Sequence, residues 1–364
     1  MRVLYVINEI CEAGAEKLLV ESMHFYQKKI QKADVLVLRE TGSLLEQELK
    51  SEIIGEFIVL GATNIYNPFL VFKLIRFFKK YDIIHVHLFP VLYWTALAKW
   101  LSKTNAVLIY TEHNTTNRRR RKFLFRFVDK FIYSMYSKIV AISFKAESNL
   151  REYLKPNNSK ILTINNGINL SVFTDASVAN LSQDENIKIF MVARFHYPKD
   201  QKTLIESLLH LDSNVHLYFV GNGNSLTECK LLSENLKLKG RVHFLGIRSD
   251  VPNLLKAADI VVMSSGYEGL SLSSIEGMAC GKPFIASDVD GLREVVSGAG
   301  ILFKFGDSAN LALNIQSLLD DKNYYNLVAE RCMERAKLYD ISKMVDSYMS
   351  VYSEVIYSSM PNKK

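Results

Sequence analysis

Short apolar runs alternate with longer amphipathic segments along the whole sequence. Residues 3–7 form an apolar run, and residues 15–28 then repeat apolar side chains at helical spacing. Nearly continuous apolar strands between helices are typical of a parallel sheet covered on both faces, so the pattern predicts an α/β fold. Further strands are predicted at 35–38, 57–60, 83–88, 106–111 and 139–142, and then at 187–192, 215–220, 242–245, 260–263, 284–286 and 300–303.

A polar stretch separates these two series of strands. Residues 174–186 show no periodic apolar pattern and are predicted to be a linker. The first domain is predicted at 1–174 and the second at 187–341, each a doubly wound sheet, with a cleft between them as the expected ligand site. A length of 364 residues suits two domains of this size.

Composition places the chain among ordinary globular proteins. Hydrophobic residues make up 48% and charged residues 23%, and the four cysteines lie far apart without a CxxC pair. They are interpreted as core thiols in a reducing compartment. No apolar run reaches the roughly 18 residues of a membrane span, and acidic residues follow the first strand too soon for a signal peptide. We expect a cytoplasmic protein, soluble or peripheral at the inner face of the membrane.

The net charge of +7 is unevenly distributed. Residues 1–174 carry 25 Lys and Arg against 15 Asp and Glu, whereas the remainder carries 20 against 23. Much of the excess is one basic cluster: Arg118, Arg119, Arg120, Arg121, Lys122, Arg126 and Lys130. A helix with basic and aromatic faces suits an anionic membrane surface, although a solvated charged face or a nucleic-acid site would use the same residues. The stripe predicted to face the core comprises Leu124, Phe127, Val128, Phe131 and Met135.

The densest chemical signal lies at 266–287. Gly269 follows a predicted strand, and a helix is predicted to begin near Ser273, so its first N–H groups and its dipole form an anion site. Glu268 and Glu276 are separated by seven residues. Carboxylates accept paired hydrogen bonds from sugar or ribose hydroxyls. For Glu276, the alternative is a capping box with Ser273.

Two cations follow the first strand of the second domain. Arg194 comes directly after this strand, and Lys199 lies five residues later, before a predicted helix. Fixed cations at the carboxyl end of a strand suit a diphosphate and the charge that develops on a leaving phosphate. The alternative is a pair of ordinary surface cations.

Taken in this order, the motifs resemble the retaining glycosyltransferases of family 4, which have the GT-B fold of two Rossmann-like domains facing across a cleft. The resemblance covers nearly the whole chain. Further matching segments are GAEKLLVE, DIIHVHLF, TEHN, AISFKAESNL, INNGIN, VGNGN and GIRSDVPNLLKAADI.

The resemblance implies specific roles in the second domain. Arg194 and Lys199 would bind the donor diphosphate and stabilise the departing phosphate, while Glu276 would bind the ribose. Glu268 would hold hydroxyls of the donor sugar, beside the backbone amides of Gly269, Leu270 and Ser271. The turn of Gly221 and Gly223 would line the nucleotide pocket, and the segment ending at Arg248 would bracket the base.

The first domain would supply His113, facing the donor sugar, and the loop of Ala13 and Gly14, approaching the phosphates or the acceptor. The sequence departs from the family here, because Ala13 replaces the first of two glycines. A final helix at about 342–364 would pack back onto the first domain.

The implied activity is retaining transfer of a hexose from a nucleoside-diphosphate sugar to a hydroxyl of a glycan or lipid-linked oligosaccharide, in surface polysaccharide biosynthesis. A UDP-sugar is favoured over a GDP-sugar, and neither a metal or other cofactor nor nucleic acid is expected. His85 and His87 share one strand face, which favours a core or cleft-lining pair over zinc ligands. Asp288 and Asp290 mimic a DxD metal motif but are interpreted as structural. The alternatives are a GT-B nucleotide-sugar epimerase, a nucleic-acid-binding protein and an inactive binding module.

Overall fold

The structure is a computed structural model, which describes residues 1–114, 120, 123–154, 158–181 and 186–359. The chain forms two compact units. The first unit comprises 1–167 together with 341–364, and the second comprises 168–340. Each is an α/β unit built on one parallel sheet, which confirms the predicted fold class.

In the first unit the described residues form a seven-stranded sheet in the order β3–β2–β1–β4–β5–β6–β7. The strands are β1 (Arg2–Ile7), β2 (Lys32–Val37), β3 (Phe57–Val59), β4 (Ile83–His87), β5 (Val107–Glu112), β6 (Lys138–Ala141) and β7 (Ile161–Thr163). The helices are α1 (Gly14–Tyr26), α2 (Leu44–Glu52), α3 (Leu70–Phe78), α4 (Val91–Ser102), α5 (Phe123–Ser134) and α6 (Phe144–Leu154).

Alternation along β1 builds two cores, one on each face of this sheet. Val3, Tyr5 and Ile7 enter one buried cluster, whereas Leu4 and Val6 enter the other. Successive side chains of a strand point to opposite faces, so a strand buried on both faces must be apolar throughout. This is why the sequence shows β1 as an unbroken apolar run.

The second unit has a six-stranded sheet in the order β10–β9–β8–β11–β12–β13 among its described residues. Its strands are β8 (Ile187–Val192), β9 (Val215–Val220), β10 (Val242–Phe244), β11 (Ile260–Met263), β12 (Phe284–Ser287) and β13 (Ile301–Phe303). Its helices are α7 (Leu170–Thr174), α8 (Gln201–Ser207), α9 (Leu226–Asn235), α10 (Val251–Lys256), α11 (Leu272–Ala279), α12 (Arg293–Val296), α13 (Ser308–Asp320) and α14 (Lys322–Ala336), with 3₁₀ turns at Leu208–His210 and Lys337–Tyr339.

The chain passes from the first unit to the second between Gly167 and Ile168, whereas the sequence analysis ended the first domain at 174. The difference arises because Ile168, Leu170 and Phe173 are buried in the core of the second unit. Of the described residues of the predicted linker, 174–181 and 186, Thr174 ends α7 and the others lie in neither helix nor strand.

A long helix, α15 (Ile341–Ser359), returns the chain to the first unit. Its Val345, Tyr348 and Tyr352 are buried in the same core as Val3 and Tyr5. None of the helices in the described part of the chain is long and apolar enough to cross a membrane.

Candidate active site

The predicted site residues of the second unit lie at the point of its sheet where the strand order reverses. β8 pairs with β9 on one side and with β11 on the other, so the loops after β8 and β11 leave the sheet side by side. Ligands of doubly wound sheets bind at such a switch point, outside the carboxyl ends of the strands. Arg194 and Lys199 lie in the loop after β8, and Glu268 lies in the loop after β11.

Lys199 and Glu268 form an ion pair at this edge. Nζ of Lys199 donates to Oε1 of Glu268 and also lies 3.5 Å from Sδ of Met263. Both charged side chains are only 14% exposed. A charge this far removed from water needs a partner, so each member of the pair stabilises the other in place.

Arg194 differs from Lys199 in its surroundings. It is exposed, and it forms no ion pair with any residue that the structure describes. Its backbone is fixed, because Nε2 of Gln201 donates to its carbonyl at 3.1 Å. The structure thus brings Lys199 and Glu268 into contact and leaves the Arg194 guanidinium in solvent.

Asp200 ties the two loops together, a role that the sequence analysis did not assign. Its Oδ1 accepts from the backbone N–H of Thr203 at 3.2 Å and caps α8. Its Oδ2 accepts from Oγ of Ser264 at 3.1 Å, and its N–H donates to the Ser264 carbonyl at 3.0 Å. A helix cap was readable from the sequence, but the contact with Ser264 depends on the neighbouring strand.

Two glycines press the turn after β9 against the Arg194 loop. Gly221 and Gly223 have φ of +138° and +154°. A Cβ on Gly221 would lie 2.1 Å from the Ala193 carbonyl oxygen, and one on Gly223 would lie 2.3 Å from that of Phe195. These positions therefore exclude larger residues for packing reasons alone. Their predicted contact with a nucleotide stays a prediction.

Gly291 supports the Glu268 loop in the same way. Its φ is +84°, and a Cβ there would lie 2.3 Å from the Glu268 carbonyl oxygen and 2.2 Å from that of Gly269. The preceding Asp290 accepts from the backbone N–H of Glu268 at 3.3 Å through its carbonyl. Asp288, the first carboxylate of the DxD-like segment, accepts from Nε of Arg293 at 2.5 Å.

Helix α11 begins directly behind Glu268, at Leu272, with Ser271 as its N-cap. The capping-box alternative is wrong, because the cap is Ser271 rather than Ser273 and its side chain makes no cap bond to the helix. Glu276 lies in the second turn and is half-buried. Gly277 lets the helix approach the sheet, since a Cβ there would lie 2.7 Å from the Phe284 ring. The close packing of α11 against the sheet thus fixes its N-terminus, which follows Gly269 and Leu270 in the loop.

In the first unit, His113 follows β5 directly and contacts His87 of β4. Its Nε2 lies 2.9 Å from Nδ1 of His87. Both nitrogens of His85 are hydrogen-bonded, to Tyr352 at 2.6 Å and to Thr111 at 2.7 Å. The prediction that His85 and His87 share one strand face is confirmed, with ring centroids 4.3 Å apart.

Burial keeps these rings neutral. It lowers the pKa of His85 to about 3 and that of His113 to about 4. Burial and the neighbouring His85 and His113 also hold the pKa of His87 well below its usual range. Among the described residues, no group of three or more His, Cys, Asp and Glu is arranged to hold a metal ion.

The loop of Ala13 and Gly14 precedes α1, at the switch point of the first sheet. Ala13 is the N-cap, with φ of −123°, an ordinary conformation for alanine. Gly14 is the first helical residue, and a Cβ on it would meet nothing within 4 Å. The replacement of glycine by Ala13 therefore costs no backbone strain. Asn8 fixes the adjacent loops, donating to the Phe89 carbonyl at 2.8 Å.

Comparison with known proteins identifies the family. Residues 13–172 match the family model described as Glycosyltransferase Family 4, and residues 172–338 match the one described as Glycosyl transferases group 1. The chain belongs to glycosyltransferase family 4.

Two relatives of this family 4 chain come from bacteria. The N,N'-diacetylbacillosaminyl-diphospho-undecaprenol alpha-1,3-N-acetylgalactosaminyltransferase of Campylobacter jejuni is 32% identical over 65% of this chain and 63% of its own length. The UDP-Gal:alpha-D-GlcNAc-diphosphoundecaprenol alpha-1,3-galactosyltransferase of Escherichia coli is 26% identical over 88% and 89%. The crystal structure of Anabaena Alr3699/HepE in complex with UDP superposes with a TM-score of 0.82 over 97% of this chain and all of its own, at 21% identity. This likeness shows the fold, which is the GT-B fold.

Arg120, one of the predicted membrane-facing cations, has a different position in this family 4 chain. Its side chain is buried against Glu112, with which it forms an ion pair, and its guanidinium lies 5.5 Å from the centre of the Tyr153 ring. Burial alone would lower the pKa of Arg120, but Glu112 together with Tyr133 and Tyr110 outweighs it and raises the pKa. The assignment of Arg120 to an exposed patch is wrong. Arg118, Arg119, Arg121 and Lys122 lie outside the described residues, and Arg126 is exposed.

The orientation of α5 also corrects the sequence analysis. Phe127 and Phe131 are 59% and 53% exposed, and Val128 is exposed as well, so these residues do not form a core-facing stripe. The buried face instead carries Asp129, Ile132, Tyr133 and, just beyond the helix, Tyr136. Asp129 accepts hydrogen bonds from the hydroxyls of Tyr93 and Tyr153, which satisfies a carboxylate in the core.

Arg248 lies after β10 and is paired locally. Its Nε and Nη2 donate to the two carboxylate oxygens of Asp250 at 2.8 and 2.7 Å. The segment is joined to the β9 turn, since the N–H of Gly221 donates to the Gly246 carbonyl at 2.8 Å. Its predicted role beside a nucleotide base stays a prediction.

Proposed function

We propose that this protein transfers a hexose, with retention of configuration, from a nucleoside-diphosphate sugar to a hydroxyl of a lipid-linked glycan, in the synthesis of a surface polysaccharide. The observation that carries the proposal is the largely buried Lys199–Glu268 ion pair at the switch point of the second sheet, shortly before the N-terminus of α11. It puts a cation, a carboxylate and free helical N–H groups at one point, which are the groups that a sugar diphosphate requires.

In the proposed reaction the bond between the anomeric carbon and the diphosphate oxygen breaks. Negative charge develops on the leaving phosphate, where Lys199, Arg194 and the first N–H groups of α11 stabilise it. Glu268 holds sugar hydroxyls, and Glu276 holds the ribose. The acceptor hydroxyl attacks from the face that the phosphate leaves, and its proton passes to that phosphate.

A UDP-sugar is the proposed donor, and no divalent ion is required. The support for a UDP donor comes from relatives, since the E. coli relative is named for UDP-Gal and the Anabaena structure contains UDP. The two bacterial relatives carry diphospho-undecaprenol acceptors in their names, which supports a lipid diphosphate acceptor here.

We further propose that α5 contacts the anionic inner surface of the membrane where such an acceptor resides. Phe127, Val128 and Phe131 present exposed apolar surface beside the exposed cations Arg126 and Lys130. This combination matches an interfacial helix, whose apolar side chains enter the headgroup region while its cations meet lipid phosphates.

The deciding experiment titrates the purified protein with UDP and GDP in excess EDTA, followed by transfer assays with nucleotide sugars and an undecaprenyl-diphosphate glycan. We expect UDP to bind without metal and one UDP-sugar to be consumed. Lys199→Met and Glu268→Gln should each lower kcat at least about 100-fold, as loss of one preorganised charge contact does. Lys202→Met is the matched control, because Lys202 is 64% exposed and pairs only loosely with Glu206. Full activity of the Lys199→Met protein would overturn the assignment.

A further inference from the structure

The ring of His113 has a single hydrogen-bond partner among the described residues, and this partner is His87. Nδ1 of His113 is buried and has no partner in the described part of the chain. An unpaired buried polar atom costs free energy, which a substrate hydroxyl at that nitrogen would remove. The contact with His87 therefore determines how His113 can meet a substrate.

The side chain of His87 is itself buried. It is 94% buried, since its exposed fraction is 6%, and its ring packs between His85 and Tyr5 at centroid distances of 4.3 and 6.4 Å. His87 is the last residue of β4, where it pairs with Thr111 of β5, and the preceding Val86 pairs with both β1 and β5. It presents Nδ1 to His113, while its buried Nε2 has no partner among the described residues.

Hydrogen bonds that include tyrosines of α15 hold His85, the histidine next to His87 on this strand face. His85 lies between the hydroxyls of Tyr352 and Thr111, and Oγ1 of Thr111 lies 3.0 Å from the Tyr348 hydroxyl. Each partner is buried, so rotation of the His85 ring would break two hydrogen bonds without water to replace them. His85 is thus held in one orientation, and its ring packs against His87 at a centroid distance of 4.3 Å.

A neutral imidazole carries its proton on one nitrogen and accepts a hydrogen bond at the other. In the bond between His87 and His113, one ring donates and the other accepts. If His87 Nδ1 donates, the proton of His113 lies on its Nδ1; if His113 Nε2 donates, its Nδ1 is an acceptor. Whichever arrangement holds, the bond to His87 sets the character of the nitrogen that a substrate would meet.

We propose that His87 is a positioning residue, which holds the ring of His113 in one orientation and in one tautomer for the sugar substrate. This inference rests on the proposed function, because it assigns His87 a part in the same transfer reaction. It does not extend to direct contact between His87 and the substrate.

The first test compares His87→Phe, which keeps a ring of similar shape, with His87→Asn, which keeps a polar atom near the place of Nδ1. Loss of one hydrogen bond should lower kcat about 3- to 10-fold in His87→Phe with little change in KM for the donor, and His87→Asn should recover most of it. His85→Phe is the control for general damage to this core. Equal kcat values for the Phe and Asn variants would overturn the proposal.

A second measurement does not depend on catalysis. Imidazole nitrogen spectra of the full chain labelled with ¹⁵N-histidine should show His113 in one neutral tautomer, and His87→Phe should give a mixture. An unchanged His113 signal in His87→Phe would contradict the proposal. UDP should bind His87→Phe with wild-type affinity, since the proposed nucleotide contacts belong to the second unit. A wild-type protein that transfers no sugar would remove the proposed function, while these spectra would still decide whether His87 controls His113.

Discussion

At the scale of single residues, Gly291 and Gly306 adopt the same left-handed conformation in different surroundings. Their φ angles are +84° and +79°. A Cβ on Gly291 would overlap the Glu268 and Gly269 carbonyl oxygens, whereas one on Gly306 would meet nothing within 4 Å. Both alanine variants should lose about 1–2 kcal/mol of stability from backbone strain. Gly291→Ala should additionally displace Glu268 and abolish most sugar transfer.

The measurement is thermal unfolding together with transfer rate for both variants. Gly306→Ala is the matched control for strain without overlap, and it should keep its activity. If both variants retain the same activity, the Glu268 loop does not depend on Gly291, and the support described for that loop is incorrect.

The sequence indicated Arg194, Lys199 and Glu268 as a group, because loop position and residue type are legible along the chain. It did not reveal that Lys199 pairs with Glu268, since that contact spans 69 positions and depends on the pairing of β8 with β11. For the same reason Asp200 and Gly291 were given no role at this site. The capping-box alternative for Ser273 and Glu276 is wrong because the helix cap lies two residues earlier, at Ser271.

At the scale of elements, α5 shows where hydrophobicity alone misleads. Apolar side chains cover most of this helix, so two stripes compete for the core, and the stripe that is buried contains the charged Asp129. The hydroxyls of Tyr93 and Tyr153, which come from other elements, help to make burial of that carboxylate favourable. Strands were easier to predict from the sequence, because a run of β-branched residues that is buried on both faces is interpreted only as a strand. The three-residue β7 was missed, although the equally short β3, β10 and β13 were predicted.

The exposed face of α5 yields a prediction about membranes. The double variant Phe127→Ser/Phe131→Ser should lose affinity for phosphatidylglycerol vesicles at least about tenfold, because a fully buried Phe contributes about 1.5–3 kcal/mol. Its melting temperature should change little, since both rings are more than half exposed. Vesicle sedimentation measures the affinity.

Leu313→Ser serves as the control, because Leu313 is exposed but belongs to α13 of the second unit. Undiminished binding of the double variant would show that α5 is not the membrane contact. Lost binding together with a lower melting temperature would point instead to damage in the helix.

At the scale of the whole molecule, the three histidines His85, His87 and His113 make the first unit the more acid-sensitive one, although burial also lowers the pKa of His243 in the second unit. Burial lowers the pKa of His85 to about 3 and that of His113 to about 4. The unfolded chain therefore binds more protons below about pH 6.5, the usual pKa of histidine. The stability that the neutral rings contribute is present above that pH and is lost as the pH falls toward 4.

Both tryptophans, Trp94 and Trp100, lie in the first unit, so their fluorescence reports on it alone. Urea midpoints measured by fluorescence should fall between pH 7 and pH 5 by more than midpoints of the second unit. His85→Phe should reduce this dependence on pH. Midpoints that stay constant across this range would contradict the neutral burial of the histidines.

The return of α15 to the first unit has a consequence for synthesis on the ribosome. The core that contains Val3 and Tyr5 is covered by Tyr348 and Tyr352, which emerge only after the entire second unit has been translated. The second unit is continuous in sequence and can close as soon as it leaves the exit tunnel. The first unit, although translated earlier, keeps an apolar face open to chaperones until α15 arrives, and nascent chains stalled before residue 341 should therefore be bound by them.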